Sequence, residues 1–294
     1  MENMQISETL INGLRVCAQE NHFGNQILYD MCNGDLHPWG DSERFADKMW
    51  IIGRSYAASP ERRYKWEKEK KKEISHGDGT GDFFYKTAEY IQKDRRYNEL
   101  KNDLYDIRNK GYCYNGSVDD RAQLIKSISC VAAFNEMIKT ASKKYDKGEN
   151  KDRCIDFDQD LIYKNQISFC SKFLHFHAPN IFFIFDQFSR DGSCLLCGER
   201  ARRTAYLKEG NVIIDEKTKH AINTCSQPVK ISFNDIQVTM DDSAKKIIKE
   251  YLSHCVRAYQ LGCFIRKISC SLSDTLPFPT PRIIDTIFLK TKSE

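Results

Sequence analysis

The chain has 294 residues, of which 40% are hydrophobic and 12% aromatic, enough for the core of one large domain or two small ones. Its formal net charge of +4 permits an anionic partner such as nucleic acid but does not demand one. No apolar run approaches the roughly 20 residues of a membrane-spanning helix, and the polar N-terminus is not typical of a signal peptide, so we expect no membrane segment.

Helical patterns dominate the N-terminal half of the chain. Asp41 or Ser42 can cap the first helix with a clear apolar periodicity. Residues 83–107 are predicted to form one or two polar helices. Residues 119–142 are predicted to form a long amphipathic helix, and a charged linker over 143–151 follows it.

The C-terminal half combines helices with two extended segments. The pattern predicts a helix over 156–177, extended segments at 212–214 and 231–238, a long helix that is capped by Asp242 or Ser243 and ends near Lys267, and a short helix that starts at Thr280–Pro281. The predicted fold class is therefore mostly α with a minor β part. We divide the chain into an N-terminal helical region, residues 1–150, and a C-terminal region, residues 151–294, which together form one compact unit.

A strongly basic segment runs from Glu61 to Lys72 and holds seven basic and three acidic residues, a net charge of +4. With Arg54 and Tyr56 before it and Arg62 and Arg63 at its start, this basic segment is the best candidate for a nucleic-acid surface. Arginine and lysine neutralise phosphates, and an interleaved aromatic ring can stack on a base. The alternative is a solvated helical face on which the glutamates of the segment pair with its lysines.

Twelve cysteines are scattered along the chain, most of them in apolar helical contexts, which is typical of buried thiols in a reducing cytoplasm. Cys194 and Cys197 form a C-x2-C pair, and His220 and Cys225 follow, a set that could bind zinc tetrahedrally. A zinc ribbon normally has a second close pair, which this sequence lacks. We therefore favour buried thiols over zinc and expect no cofactor.

The segment from Ser168 to Asp186 places a lysine and two histidines among aromatic residues and ends with an aspartate. Burying a charge without a partner is costly, so these groups either pair with one another or line a pocket. In a structural interpretation, Lys172 reaches the surface and Asp186 caps the next helix. In a functional interpretation, the Asp186 carboxylate stabilises an oxocarbenium-like cation or deprotonates a water, and the Lys172 amine can form a Schiff base.

The two histidines of this segment have separate roles to explain. His175 and His177 are two residues apart, so they cannot share one face of a helix. Each is either a hydrogen-bonded core histidine or a pocket residue that contacts a flipped base or a phosphate. The sequence alone leaves both roles open.

The segment from Asn165 to Asp186 resembles the helix-hairpin-helix and catalytic-aspartate segment of DNA glycosylases of the 8-oxoguanine glycosylase type. Lys172 matches the lysine that opens a helix in that family, and Asp186 matches the aspartate that begins the next helix. Further stretches resemble a bacterial group that is assigned this fold, and some glycosylases of this kind act in anti-phage defence. These stretches are residues 54–63, 171–177, 182–186 and 280–285, so the resemblance covers patches of the chain from about residue 50 to the end.

This resemblance implies a helix-hairpin-helix glycosylase-like fold and an enzyme that flips a modified base out of double-stranded DNA and leaves an abasic site, in defence or repair. It implies that Asp186 is the catalytic carboxylate and that Lys172 decides between hydrolase and lyase chemistry. The defence group implies a hypermodified phage pyrimidine as the target. The DNA contacts would be made by Arg54, Tyr56, Arg62, Arg63, Ser168 and Ser171. The base pocket would be lined by Phe173, His175, Phe176, His177 and Phe183.

An alternative from another class stays open, a non-catalytic DNA-binding protein with a degenerate glycosylase fold. The hairpin residues 165–169 contain no glycine, although glycines allow backbone amides to approach a phosphate. The spacing of fourteen residues between Lys172 and Asp186 is shorter than in the 8-oxoguanine enzymes. The retained Lys172–Asp186 pair opposes this alternative.

Overall fold

The computed structural model describes residues 12–13, 15–16, 26–33, 40–56, 58, 60, 64–65, 81–149, 162–196, 212–214, 216–224, 229–271 and 279–293. Helices account for most of these residues, and the strands form small two-stranded sheets, which confirms the mostly α class with a minor β part. Within these ranges, no helix has both the length and the apolar character that crossing a bilayer requires.

The helices are joined by short connections and by segments outside the described residues. In chain order they are α1 (Gln26–Asn33), α2 (Ser42–Ser55), α3 (Gly81–Gln92), α4 (Arg96–Ile107), α5 (Val118–Glu149), α6 (Ile167–His177), α7 (Gln187–Leu196), α8 (Glu216–Thr224), α9 (Asp242–Ser271) and α10 (Pro281–Lys290). The strands are β1 (Tyr64–Lys65), β2 (Ile162–Tyr163), β3 (Val212–Ile214) and β4 (Thr291–Ser293). β1 pairs with β2 in antiparallel orientation, and β3 pairs with β4 in parallel orientation.

The helix starts follow from side chains that cap the free backbone amides of the first turn. Asp41, one of the two predicted residues, caps α2 and accepts a hydrogen bond from the Arg44 amide at 2.9 Å. Thr280 caps α10, with Pro281 in the first turn, which is also as predicted. The cap of α9 is Asp241, which accepts from the Ala244 amide at 2.8 Å and lies just before the two predicted residues.

Tertiary contacts overturn the predicted linker after α5. Residues 143–149 continue the helix, because Tyr145 is buried and its ring lies 5.2 Å from that of Phe83. Residues 231–238 are not continuously extended either. They contain a 3-10 turn over Phe233–Asp235, which is closed by a capping box between Ser232 and Asp235.

The segment before α6 also differs from the predicted helix over 156–177. Within the described residues, 162–163 form β2 and 164–166 form a connection, so the helix begins only at Ile167. Side chains of α5 and α9 accept hydrogen bonds from this connection. The Gln166 amide donates to Asn135 Oδ1 at 2.7 Å, and the Asn165 side chain donates to Ser243. No helix therefore directly precedes α6 in the described residues, and the helix-hairpin-helix fold stays a prediction.

Helix α6 forms the centre of the core and positions Lys172. It contacts α1, α2, α5 and α9, and all of its residues except Ser168 are buried. Phe173 lies in an aromatic cluster, with ring centroids 5.5 Å from Phe45 and 5.2 Å from Phe134. Such packing restrains the rotation of α6 and thus the direction in which the lysine extends.

Helices α7 and α10 approach each other almost backbone to backbone at Gly192. A Cβ atom at this position would lie 2.1 Å from the carbonyl oxygen of Phe288. We expect Gly192→Ala to lower the free energy of unfolding by about 2 kcal/mol, because backbone cannot move aside as a flexible side chain can. Urea unfolding measures this change.

The control for this variant is Gly111→Ala. A Cβ there would lie 3.7 Å from the Asn180 side chain, an ordinary contact, so near-wild-type stability is expected. Alanine stabilises a helix interior relative to glycine by roughly 0.5–1 kcal/mol when space allows. A more stable Gly192→Ala protein would therefore contradict the close approach of α7 and α10.

Candidate functional site

Lys172 and Asp186 form an ion pair in which Lys172 Nζ lies 3.1 Å from Asp186 Oδ2. Lys172 is 3% exposed, so the interpretation of a lysine that reaches the surface is wrong. Asp186 directly precedes α7, and its Oδ1 accepts a hydrogen bond from the Ser189 amide at 2.9 Å. The aspartate therefore caps α7 with one oxygen and pairs with the lysine through the other.

An aromatic ring lies against the lysine of this ion pair. Lys172 Nζ lies 5.3 Å from the centroid of the Tyr56 ring, which in turn lies 5.5 Å from the ring of Phe176. Ser168 Oγ accepts from Lys172 Nζ at 3.4 Å. The side chain of Asp186 is 23% exposed, so solvent reaches the carboxylate although the amine is buried.

The charge state of Asp186 results from opposing effects. Burial alone would raise its pKa, but the adjacent Lys172 and hydrogen bonds from Ser189 hold the pKa below its usual range. The carboxylate is therefore ionised at neutral pH. An ionised carboxylate at this site can stabilise a developing cation or accept a proton from water.

The position of Asp186 also depends on Ser171. The Ser171 hydroxyl donates to the Ser168 carbonyl at 3.1 Å and accepts from the Phe185 amide at 3.0 Å. Because Ser171 is fully buried, its predicted role as a DNA contact is wrong. Its hydroxyl instead ties the residue before Asp186 to α6.

A second carboxyl group belongs to this site, Asp285 of α10. It is buried, accepts a hydrogen bond from the Ser189 hydroxyl, and pairs with Arg282 across 3.1 Å. Burial raises the pKa of Asp285 to about 6; the Arg282 guanidinium opposes this rise, and the Asp186 carboxylate adds to it. Ser189 thus bonds to Asp186 through its amide and to Asp285 through its hydroxyl.

Ser189, Arg282 and Asp285 were not among the predicted site residues. One sequence signal for Asp285 did exist, since it lies among Ile283, Ile284 and three further apolar residues in a short amphipathic helix, where a carboxyl needs a partner. No local sequence pattern indicated which residue this partner is, because Ser189 lies 96 residues away in the chain.

The raised pKa of Asp285 has a consequence for stability. In the pH window between the unfolded pKa and about 6, the folded protein binds more protons than the unfolded chain, so stability falls as pH rises. Across this window we expect the unfolding free energy of the wild type to fall by about 3 kcal/mol relative to Asp285→Asn. Urea unfolding of both proteins between pH 4 and pH 7 measures the difference. Parallel pH dependences would contradict the prediction.

The structure does not place all of the predicted pocket residues beside the ion pair. Phe173 lies in the aromatic core, and Phe183 stacks on Tyr112 with ring centroids 5.5 Å apart. His177 is buried, and its Nδ1 lies 2.8 Å from the Phe173 carbonyl oxygen. These three side chains pack against other parts of the protein, so the prediction that they line an open base pocket is wrong. Phe176 does lie near the ion pair, because its ring centroid is 5.5 Å from that of Tyr56.

His175 is a core histidine with both ring nitrogens in use. Nδ1 lies 2.8 Å from the Phe182 carbonyl oxygen, so it carries the proton, and Nε2 accepts from the Tyr29 hydroxyl at 2.7 Å. Burial lowers the pKa of His175 to about 3, which keeps the ring neutral. Its predicted base contact is wrong; it instead joins α1 to α6.

The predicted DNA contacts are placed only in part. Arg54 is exposed near the end of α2, and the half-buried Tyr56 follows it beside Lys172. Ser168 is partly exposed next to the lysine amine. Arg62 and Arg63 lie outside the described residues, as does most of the basic segment, of which only β1 is described.

The cysteine predictions are also placed only in part. Cys130, Cys170 and Cys255 are buried, which raises the pKa of each thiol and agrees with the prediction of buried thiols. For zinc, Cys194 is half-buried on α7 and His220 is exposed on α8, whereas Cys197 and Cys225 lie outside the described residues. In the ranges that are described, no cluster of three or more His, Cys, Asp or Glu side chains could hold a metal ion.

A second lysine–aspartate pair shows which features are specific to the candidate site. Asp241 caps α9 and forms an ion pair with the buried Lys139 of α5. The side chain of Asp241 is 52% exposed, and no aromatic ring is described against this lysine, unlike Tyr56 against Lys172. A capping aspartate that pairs with a lysine is thus not sufficient evidence of catalysis.

Comparison of the chain with known protein families, with curated proteins and with solved structures found no match in any of the three.

Proposed function

We propose that this protein is a DNA glycosylase that excises a modified base and leaves an abasic site. The observation that carries the proposal is the ionised, partly exposed Asp186 carboxylate beside a buried lysine and the Tyr56 ring. A carboxylate in such surroundings stabilises positive charge more strongly than one in water does. The resemblance of Lys172 and Asp186 to the glycosylase positions supports the same reaction.

The reaction begins when the target nucleotide leaves the base stack, at a cost of a few kcal/mol. The bond between C1′ and the base nitrogen breaks, the electron pair leaves with the base, and the base takes up a proton from solvent. Asp186 stabilises the positive charge that develops on the sugar. Water then adds to C1′ and gives one proton to Asp186, and release of this proton to solvent restores the ionised carboxylate and completes the abasic site.

Lys172 supports this hydrolysis as a positioning group. Its amine is buried and lies 3.1 Å from Asp186 Oδ2, so it holds the carboxylate in place. Lyase chemistry would instead need the amine to attack C1′ and form an imine with the opened sugar. Borohydride trapping separates the two reactions, and we expect no covalent adduct with DNA.

The proposed substrate class comes from the resemblance to the defence group. We expect abasic sites in phage DNA that contains hypermodified pyrimidines and none in the same DNA with ordinary bases. An aldehyde-reactive probe counts these sites on both substrates after incubation with the protein. A modified-DNA panel on which no abasic sites appear would contradict the proposal.

A non-catalytic DNA-binding protein is the second candidate, and two observations favour it. Phe173 and Phe183 are packed into the core, and the Lys139–Asp241 pair shows that such a pair can serve structure. This candidate predicts DNA binding that weakens steeply with salt, because lysine and arginine release counterions from phosphates. Salt-dependent binding without abasic sites would support it over the glycosylase.

A further inference from the structure

We propose that Asp285 is a positioning residue for Asp186 and that it acts through Ser189. Its ionisation would set the acid limb of the pH profile of abasic-site formation. This inference rests on the proposed glycosylase function. Asp285 does not touch the substrate in this proposal. It acts by holding the first turn of α7 and by adding negative charge behind Asp186.

The connection between the two carboxyls passes through a single residue. The Ser189 amide donates to Asp186 Oδ1 at 2.9 Å, and the Ser189 hydroxyl donates to Asp285 Oδ1. Asp285 Oδ2 is held in turn by Arg282 at 3.1 Å. A shift of the Asp285 carboxyl therefore acts on the residue that caps Asp186.

The packing of α10 makes this connection stiff. Gly192 of α7 lies against the Phe288 backbone of α10 without room for a Cβ atom, one turn along from Ser189. Close-packed elements of this kind transmit small displacements instead of absorbing them. The position of Asp285 and the N-terminus of α7 are thus set together.

Charged and titratable groups face Asp285 from each helix that surrounds it. They are Arg282 on α10 itself, Asp186 at the start of α7, Lys172 on α6 and Tyr29 on α1. His254 on α9 interacts with Asp186 instead, and its ring lies 5.4 Å from that of Phe288. Burial raises the pKa of Tyr29 and lowers the pKa of His254 to about 4, so both are neutral near pH 6. Asp285, with a pKa of about 6, is then the group that titrates there.

Ionisation of Asp285 makes the potential at Asp186 more negative and so favours the cation on the sugar. We expect the rate of abasic-site formation to rise about tenfold between pH 5 and pH 7, since a coupling of one pKa unit corresponds to a factor of ten. In Asp285→Asn this rise should be less than about twofold. In Ser189→Ala the rise should be smaller than in the wild type, because the hydroxyl that joins Asp285 to the cap of Asp186 is lost. Its midpoint should lie at higher pH, because the same hydrogen bond normally lowers the pKa of Asp285.

A second measurement tests the coupling without DNA. The carboxyl-carbon NMR signal of Asp186, assigned by its loss in Asp186→Asn, should show an inflection near pH 6 that disappears in Asp285→Asn. A wild-type pH profile or an unchanged inflection in Asp285→Asn would overturn this inference and leave the glycosylase proposal standing. An inflection that Asp285→Asn removes, in a protein that forms no abasic sites, would support the coupling and contradict the glycosylase.

Discussion

Asp186→Asn is expected to lower the rate of abasic-site formation by about two to four orders of magnitude, the usual contribution of a catalytic acid or base. The amide keeps the shape of the carboxylate but cannot carry negative charge toward the sugar or accept a proton from water. Asparagine caps a helix about as well as aspartate, so the start of α7 should be retained. Initial rates on modified DNA, with melting temperature and DNA affinity measured in parallel, test this expectation.

Asp241→Asn is the matched control for this variant. It also changes an aspartate that caps a helix and pairs with a buried lysine, so it reproduces the structural part of the change. We expect wild-type rates from Asp241→Asn. Equal losses in the two variants would show that the effect of Asp186→Asn is structural and would sink the proposed catalytic role.

Lys172→Met is expected to lower the free energy of unfolding by about 2–3 kcal/mol. Methionine keeps the length and apolar contacts of the lysine stem, but it leaves Asp186 without its counter-charge. The expected loss lies below that for a fully buried pair, because the Asp186 side chain is 23% exposed. Burial would then raise the pKa of Asp186, so activity should fall as well.

Lys126→Met provides the comparison for the stability change. Lys126 pairs with Asp103 at 2.9 Å and with Asp106 at 3.2 Å; the two aspartate side chains are exposed and that of Lys126 is 32% exposed, against 4% for Lys172. Exposed pairs contribute about 0–1 kcal/mol, so this variant should unfold near the wild-type denaturant concentration. If Lys172→Met were no less stable than Lys126→Met, the Lys172–Asp186 pair would not hold the site together.

The local signals in the sequence predicted much of the site. Helix caps depend on residues within one turn, and so neighbouring residues alone predicted the start of α10 at Thr280–Pro281 and limited the cap of α2 to Asp41 or Ser42. The same reasoning missed the cap of α9 by one residue. The cost of a buried charge predicted that Lys172 and Asp186 would either pair or line a pocket, and they pair. The preference of aspartate for helix starts predicted Asp186 as the cap of α7, which the structure confirms.

Contacts between distant segments determined the features of the fold and the site that local sequence patterns did not predict. Aromatic residues around Lys172 indicated burial, but only the packing of α2 and α5 on α6 shows that Phe173 fills the core and that Tyr56 lies over the amine. The linker predicted after α5 failed because Tyr145 packs on Phe83, which is far from it in the chain.

The sequence by itself determined the mostly helical class and the starts of α2 and α10, because these depend on local hydrogen bonds. The cost of burying charge limited Lys172 and Asp186 to a pair or a pocket, and the structure shows the pair. Only the tertiary structure showed that Ser189 connects Asp285 to Asp186 by hydrogen bonds. Periodicity indicates which face of a helix is buried, but not which helix covers it, and the buried acid of α10 finds its partner only when α7 packs against it.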